Sequence, residues 1–294
     1  MLKIKFLELS SDVVFKSFML SSNTVKYKAR LIHLITKINE EDLKRATYTS
    51  QELRVSNKQD KVYKTDIIVT VKDHIISLEM NKNYYKGLNE KNEMYRAKIM
   101  SDELDKGEDY LDLKGVIQIN INDFHSCKGK RIVYEFMNIE KYSKEVKSEF
   151  YKNYDVDLKN VDEIDYNKSE INKMLMIFKD CDYEKLRGDE IMDEALDELE
   201  RISSDTKIIG LYDKEKVEKK ILNTRLRYAE ETGLEKGLEK GLKKGLKKGL
   251  KEGLKEGLKN GKRGIARKML KANMSIEDII RFTGLTHKEL EKLK

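Results

Sequence analysis

Proline and tryptophan are absent from the 294 residues, and only two cysteines occur. The missing residues, beside abundant lysine, isoleucine and asparagine, read as the coding bias of an AT-rich genome and give no clue to mechanism. Cys127 and Cys181 stand far apart and neither has a CxxC partner, which argues against a disulfide framework and a structural zinc motif. Such sparse cysteine suits a reducing compartment, so a cytoplasmic location is expected. No run reaches the roughly 18 apolar residues of a membrane span. The opening MLKIKFLELSSD has a short apolar run and no cleavage-site pattern, so no signal peptide is expected. A net charge is lacking too over most of the chain. The formal charge is +7, but residues 233–263 hold 11 basic and 4 acidic residues, and the rest balances 49 against 49. A nucleic-acid surface on the main body would therefore have to come from local placement rather than bulk charge.

What is present is an alternation of helical and strand patterns. Ser10, Ser11 and Asp12 offer N-caps to an apolar-periodic stretch through Val13, Phe15, Phe18 and Met19. A second helix is expected from about Thr24 to Ile38. Residues 62–71 and 74–81 alternate and are rich in β-branched side chains, as strands are. Residues 88–106 have helical spacing, VIQINI (116–121) and residues 131–139 read as strands, and 141–201 reads as mostly helical. The order predicts an α/β fold on one mixed sheet.

The last 65 residues are different in kind. From Gly233 to Gly261 a glycine recurs every four residues, with leucines from Leu234 to Leu258 at the same period. Four residues advance a helix by about 400°, so successive leucines drift by about 40° and wind around the rod. That period does not suit a left-handed coiled coil, and each glycine costs about 1 kcal/mol relative to alanine. A weak helical rod, or a tether that becomes helical on association, is expected, with homo-oligomers as one consequence. The lysines between the glycines exclude a membrane reading of the GxxxG spacing. Ser275 and Thr286 then cap two short helices about a Thr283-Gly284-Leu285 turn, the outline of a helix-turn-helix.

The chemistry concentrates in YKTDIIVTVKDHIISLEMN, residues 63–81. A hairpin turning between Lys72 and Asp73 would set Asp66 opposite Glu79, with Ser77, Glu79 and Asn81 on the face of Asp66, Ile68 and Thr70. Two carboxylates so placed have Cβ atoms about 5 Å apart and repel. A divalent cation relieves that repulsion, and a donor set of one or two carboxylates completed by water and phosphate oxygens suits Mg²⁺. The competing reading is a solvated strand face. Lys-Asp is not a favoured hairpin turn, and a slip of one residue would send the acids to opposite faces.

The D…ExN pattern across two strands resembles the PD-(D/E)XK nuclease signature. More narrowly, the chain resembles the recombination-promoting nuclease, or transposase-like, family of bacterial PD-(D/E)XK proteins. SDVVFK (11–16) is similar to that family's N-terminal motif, KTDIIVTV and ISLEMN to its catalytic strands, and MYRAKIMSDELDKGEDYLDLKGVIQINI (94–121) to the helix and strand that follow. The four-residue repeat with AxxML and SIEDIIRFTGL is similar to its variable tail. The resemblance implies a restriction-endonuclease-like core, a mixed central sheet flanked by helices, in residues 1–200. A helical connector (201–232), the Gly-Leu-Lys repeat (233–262) and the helix-turn-helix-like element (263–294) would follow as a helical extension. It implies a DNA endonuclease using Mg²⁺, with Mn²⁺ or Ca²⁺ as substitutes, acting in recombination or mobile-element chemistry. Asp66 and Glu79 would be the metal ligands, and Asp12 a further one. The family's third motif residue is commonly Gln, and Lys in the wider superfamily; this chain has Asn81, which lacks the charge. Lys64, opposite Asn81 in the hairpin register, is the candidate to replace it. Tyr95 and Arg96 fall where DNA or active-site contacts are implied, while Gln118 reads as a polar strand residue. Two other readings stand beside the nuclease: a degenerate core that binds DNA without cutting it, and an assembly protein driven by the repeat.

Overall fold

The computed structural model describes residues 6–50, 52–53, 63–103, 109 and 113–293, with the backbone alone at 52–53 and 63–64. The chain separates into two compact units, Met1–Val217 and Glu218–Lys294. In chain order the elements are α1 (Asp12–Leu20), α2 (Val25–Thr36), α3 (Glu40–Lys44), β1 (Thr47–Thr49), β2 (Glu52–Leu53), β3 (Tyr63–Lys64), β4 (Ile67–Val71) and β5 (His74–Asn81). Then come α4 (Leu88–Glu103), β6 (Gly115–Asn122), β7 (Val133–Ile139), β8 (Val146–Asp157), α5 (Glu170–Leu175), α6 (Glu190–Ser204), α7 (Thr206–Lys271), α8 (Ile276–Thr283) and α9 (His287–Glu291).

Six strands form one mixed sheet in the order β1-β4-β5-β6-β8-β7. β4 and β5 are antiparallel, while β5, β6 and β8 run parallel. Period-2 alternation sorts their side chains onto two faces. One face carries Ile67, Val69, Ile76, Leu78, Ile117, Ile119, Ile121, Tyr154 and Val156, all buried in the main core with α1, α2, α5 and α6. Tyr212 of α7 is buried in that core as well, which ties the start of α7 to the first unit. The opposite face changes character along its strands. Ile68, Ile75 and Val116 pack against Ile99 of α4; farther along lie Ser77, Glu79 and Asn81 of β5 beside Gln118, Asn120 and Asn122 of β6.

The hairpin register is the one a turn between Lys72 and Asp73 sets, with Ile67 opposite Leu78 and Val71 opposite His74. Lys72 takes a φ of 29° there, which a Cβ-bearing residue tolerates at some cost, and its ammonium reaches Asp42 at 2.8 Å.

Two expectations need correction. The strand expected over 62–71 is interrupted: β3 ends at Lys64 and pairs with β2, Lys64 lying opposite Glu52 rather than opposite Asn81. The ladder to β5 starts only at Ile67, because the side chains of Asp66 and Glu79 take the hydrogen bonds that main-chain groups would otherwise make. Residue 62 and residues 104–106, expected to extend this strand and α4, lie outside the described residues. In the segment expected to be mostly helical, residues 146–157 form β8. Its apolar alternation is thin because Asn153, Asp155 and Asp157 project from the face opposite Tyr154 and Val156.

In the second unit the four-residue repeat lies within α7, with Leu234 to Leu258 exposed at every turn. Ala266, Ile279, Leu285 and Leu290 make a small core there. Ser275 caps α8 and a capping box at Thr286 opens α9. Gly284 ends α8 at φ 65°, the left-handed C-cap that glycine accepts most readily. Among the described residues no helix is long and apolar enough to cross a membrane.

Candidate active site

Asp66 and Glu79 clasp one another through the backbone. The Asp66 N–H donates to Glu79 Oε1 at 3.3 Å, and the Met80 N–H donates to Asp66 Oδ2 at 2.9 Å. Each carboxyl thereby has one oxygen held by a main-chain donor. The other oxygens face ammonium groups: Lys16 Nζ lies 3.4 Å from Asp66 Oδ1, and Lys91 Nζ lies 3.3 Å from Glu79 Oε2. Lys16 also holds Asp12, the first residue of α1, at 2.8 Å. Three elements, α1, the hairpin and α4, thus deliver two acids of the sheet and two lysines to one spot, with Asp12 at its exposed margin.

Burial dominates the electrostatics. Glu79 is 1% exposed, and burial, then the neighbouring charge of Asp66, pushes its carboxyl up from 4.5 to about 7 against the pull of Lys91. Asp66 is raised for the same first reason, against the Met80 N–H and Lys16, with Asp12 adding to the rise. Burial by itself would lower Lys91 and Lys16, yet both are raised, Lys91 mainly by Glu79 and Lys16 by Asp12 and Asp66. Ionising both carboxyls is therefore unfavourable, and the two lysines offset that cost only in part. Among the described residues no three carboxylate, imidazole or thiol groups converge as a closed metal cage. Two carboxylates with one oxygen free of main-chain donors on each are instead the donor set of a hard cation that keeps water and takes phosphate oxygens.

The remaining sequence candidates sit as follows. Asn81 is buried on the face of Glu79, and its Nδ2 donates to Asn122 Oδ1 at 3.0 Å. Lys64 is placed by its backbone in the β2–β3 ladder. Tyr95 carries the Lys91 ammonium 4.8 Å from its ring centre. Arg96 is 3% exposed and stacks 3.5 Å from the Tyr151 ring while pairing with Glu93; its neighbour is a polar cleft rather than open surface. A model of PD-(D/E)XK nuclease family transposases matches residues 9–229. The chain belongs to that family. The match spans the whole sheet, both lysines and the clasped acids, and with it comes a nuclease-like function and DNA as the substrate class. Among curated proteins none matches the chain.

Sequence reasoning missed Lys91, the nearest cation to Glu79. Its spacing from Tyr95 is that of any helix face, so only the packing of α4 over β5 and β6 singles it out. Lys16 was in view within SDVVFK but carried no assigned role until α1 brought it to Asp66.

Proposed function

We propose that this PD-(D/E)XK family member is a divalent-metal-dependent DNA endonuclease, with Asp66, Glu79 and, at the margin, Asp12 as the residues that would hold the cation. The observation that carries this reading is the reciprocal clasp, which spends one oxygen of each acid on the backbone and leaves the other to a positive charge. A cation held there would lower the pKa of a water it binds and polarise the scissile phosphate.

The chain's own groups do the rest. Lys91, anchored on α4 and steadied over Tyr95, stands beside Glu79 and supplies the positive charge that Asn81 lacks. Lys16 offsets part of the charge of Asp66 and holds Asp12. Asn81, fixed by Asn122, offers a neutral amide to a water or a phosphate oxygen. The basic segment of α7 adds sequence-independent attraction to DNA that weakens with salt, and family membership favours a setting in recombination or mobile-element activity. Asn81 also supports the second reading, a core that binds DNA without cutting it.

Plasmid cleavage separates the two. Supercoiled DNA with the purified chain and Mg²⁺ or Mn²⁺ is expected to be nicked, EDTA to stop it, and Asp66→Ala or Glu79→Ala to slow it by more than about a hundredfold. Undetectable cutting by a folded wild type that still retards DNA would leave the binding role.

A further inference from the structure

Beyond the acids, the polar face of the sheet continues as a ladder of amides. Gln118 and Asn120 of β6 lie beside Asn153 and Asp155 of β8. Together with Asn92 and Arg96 of α4 they wall a cleft of about 500 Å³, within the roughly 300–1,000 Å³ of small-ligand sites. The orientation of the amides follows from one carboxylate. Asp155 accepts, so Asn120 must turn its Nδ2 to it, at 2.8 Å. Asn120 Oδ1 then accepts from Asn92 Nδ2 at 3.2 Å and from Gln118 Nε2 at 3.1 Å. Both donors thereby keep their oxygens spare. Asn92 Oδ1, Gln118 Oε1 and Arg96 Nε are buried without a hydrogen-bond partner, although such groups are nearly always paired.

We infer that this cleft takes an unstacked nucleobase of the DNA substrate and favours one with an exocyclic amino group. The spare atoms lie just beneath the cleft wall, and a small turn of their side chains toward a bound base presents two carbonyl acceptors and a guanidinium donor, which complement the amino group and adjacent ring nitrogen of adenine or cytosine, or the amino edge of guanine; thymine has no amino group to offer. Phe136, 43% exposed on β7, lines the same cleft as a stacking surface. Glu93 and Asp155 repel phosphate, so a neutral ring rather than the backbone belongs inside. A second cleft of about 340 Å³ shares Asn92, Asn120 and Phe136 and is walled by Tyr84 and Phe124, whose rings meet edge-on at 5.7 Å. The two make a trough for successive bases of one strand. Asn120 is the β6 partner of Glu79, so the base sits about 5–10 Å from the acids, one or two strand spacings away. That is the reach from a scissile phosphate to its own or the next base.

The inference rests on the nuclease reading only in taking DNA as the polymer, so its test uses binding, without metal. Fluorescent twelve-residue dT oligonucleotides carrying one central dA, dC, dG, dT or abasic site are titrated with the full chain in EDTA and followed by anisotropy, beside Phe136→Ala and Phe136→Tyr. The amino-bearing inserts are expected to bind about tenfold tighter than dT or the abasic site, Phe136→Ala to erase most of that difference and Phe136→Tyr to keep it. Equal binding of all five, or a preference untouched by Phe136→Ala, overturns the pocket and leaves the amides a structural network. A parallel Mg²⁺ reaction keeps the two ideas apart. Base-selective binding with no cutting sinks the nuclease and supports the pocket, whereas cutting with no insert preference does the reverse.

Discussion

Replacing Glu79 by glutamine should change how stability depends on pH. In the metal-free chain this carboxyl ionises near pH 7 instead of 4.5, chiefly because it is buried and next because Asp66 stands beside it. Between those values the folded chain holds a proton that the unfolded chain has released, so stability is highest on the acid side and falls as pH rises through the window. The shift corresponds to about 3 kcal/mol against the ionised form, an upper figure because Lys91 can rearrange and water can enter. Glutamine keeps the shape and removes the titration. Urea unfolding followed by tyrosine fluorescence in EDTA, at pH 5 and pH 7.5, should show the wild type losing about 2–3 kcal/mol more than Glu79→Gln over that step. Mg²⁺ should reduce the wild type's loss, because a bound cation takes the proton's place. Parallel pH dependence in the two proteins would instead mean that Glu79 is solvated or fully compensated, and that its burial does not raise its carboxyl.

Other expectations follow from single contacts. Lys91→Met should lower turnover at least about tenfold, and Lys91→Arg should restore part of it, read as kcat at saturating DNA. Asn120→Ala removes the node that takes two amide donors and gives to Asn153 and Asp155. It should cost about 2–4 kcal/mol in urea unfolding, because several buried groups lose partners at once. Gly241→Ala and Gly245→Ala put a methyl into open space on α7, and each should add about 0.5–1 kcal/mol to helix stability, seen as a higher far-ultraviolet dichroism midpoint. Gly284→Ala should do the opposite, losing about 1 kcal/mol, because the C-cap of α8 needs a φ of 65°.

Strong local signals carried most of the fold. β5 and β6 are continuous apolar alternations buried on at least one face, and the N-caps at Ser275 and Thr286 are short-range chemistry that tertiary packing does not override. The hairpin register could be read from the alternation of its two strands, despite a turn that lacks glycine. β8 was hidden because a strand lining a polar cleft presents asparagine and aspartate where a strand over a core presents valine. The break at Thr65 and Asp66 was hidden because carboxyl side chains, not main-chain groups, close the ladder there. Asp66 and Glu79 were legible as a pair across two strands. The lysines beside them were not, since each comes from a helix whose approach depends on packing over the sheet, and a lysine on a helix face is otherwise ordinary.

In the proposed function Asp66 and Glu79 hold a divalent cation in place of a proton. Mn²⁺ titration followed by the loss of its free-ion paramagnetic resonance signal tests it without DNA or turnover. Binding by the wild type is expected to tighten about tenfold or more from pH 6 to pH 7.5 as Glu79 gives up its proton, and to be lost in both Asp66→Asn and Glu79→Gln. Mn²⁺ binding that is equal in all three proteins, or absent from the folded wild type at pH 7.5, would contradict it.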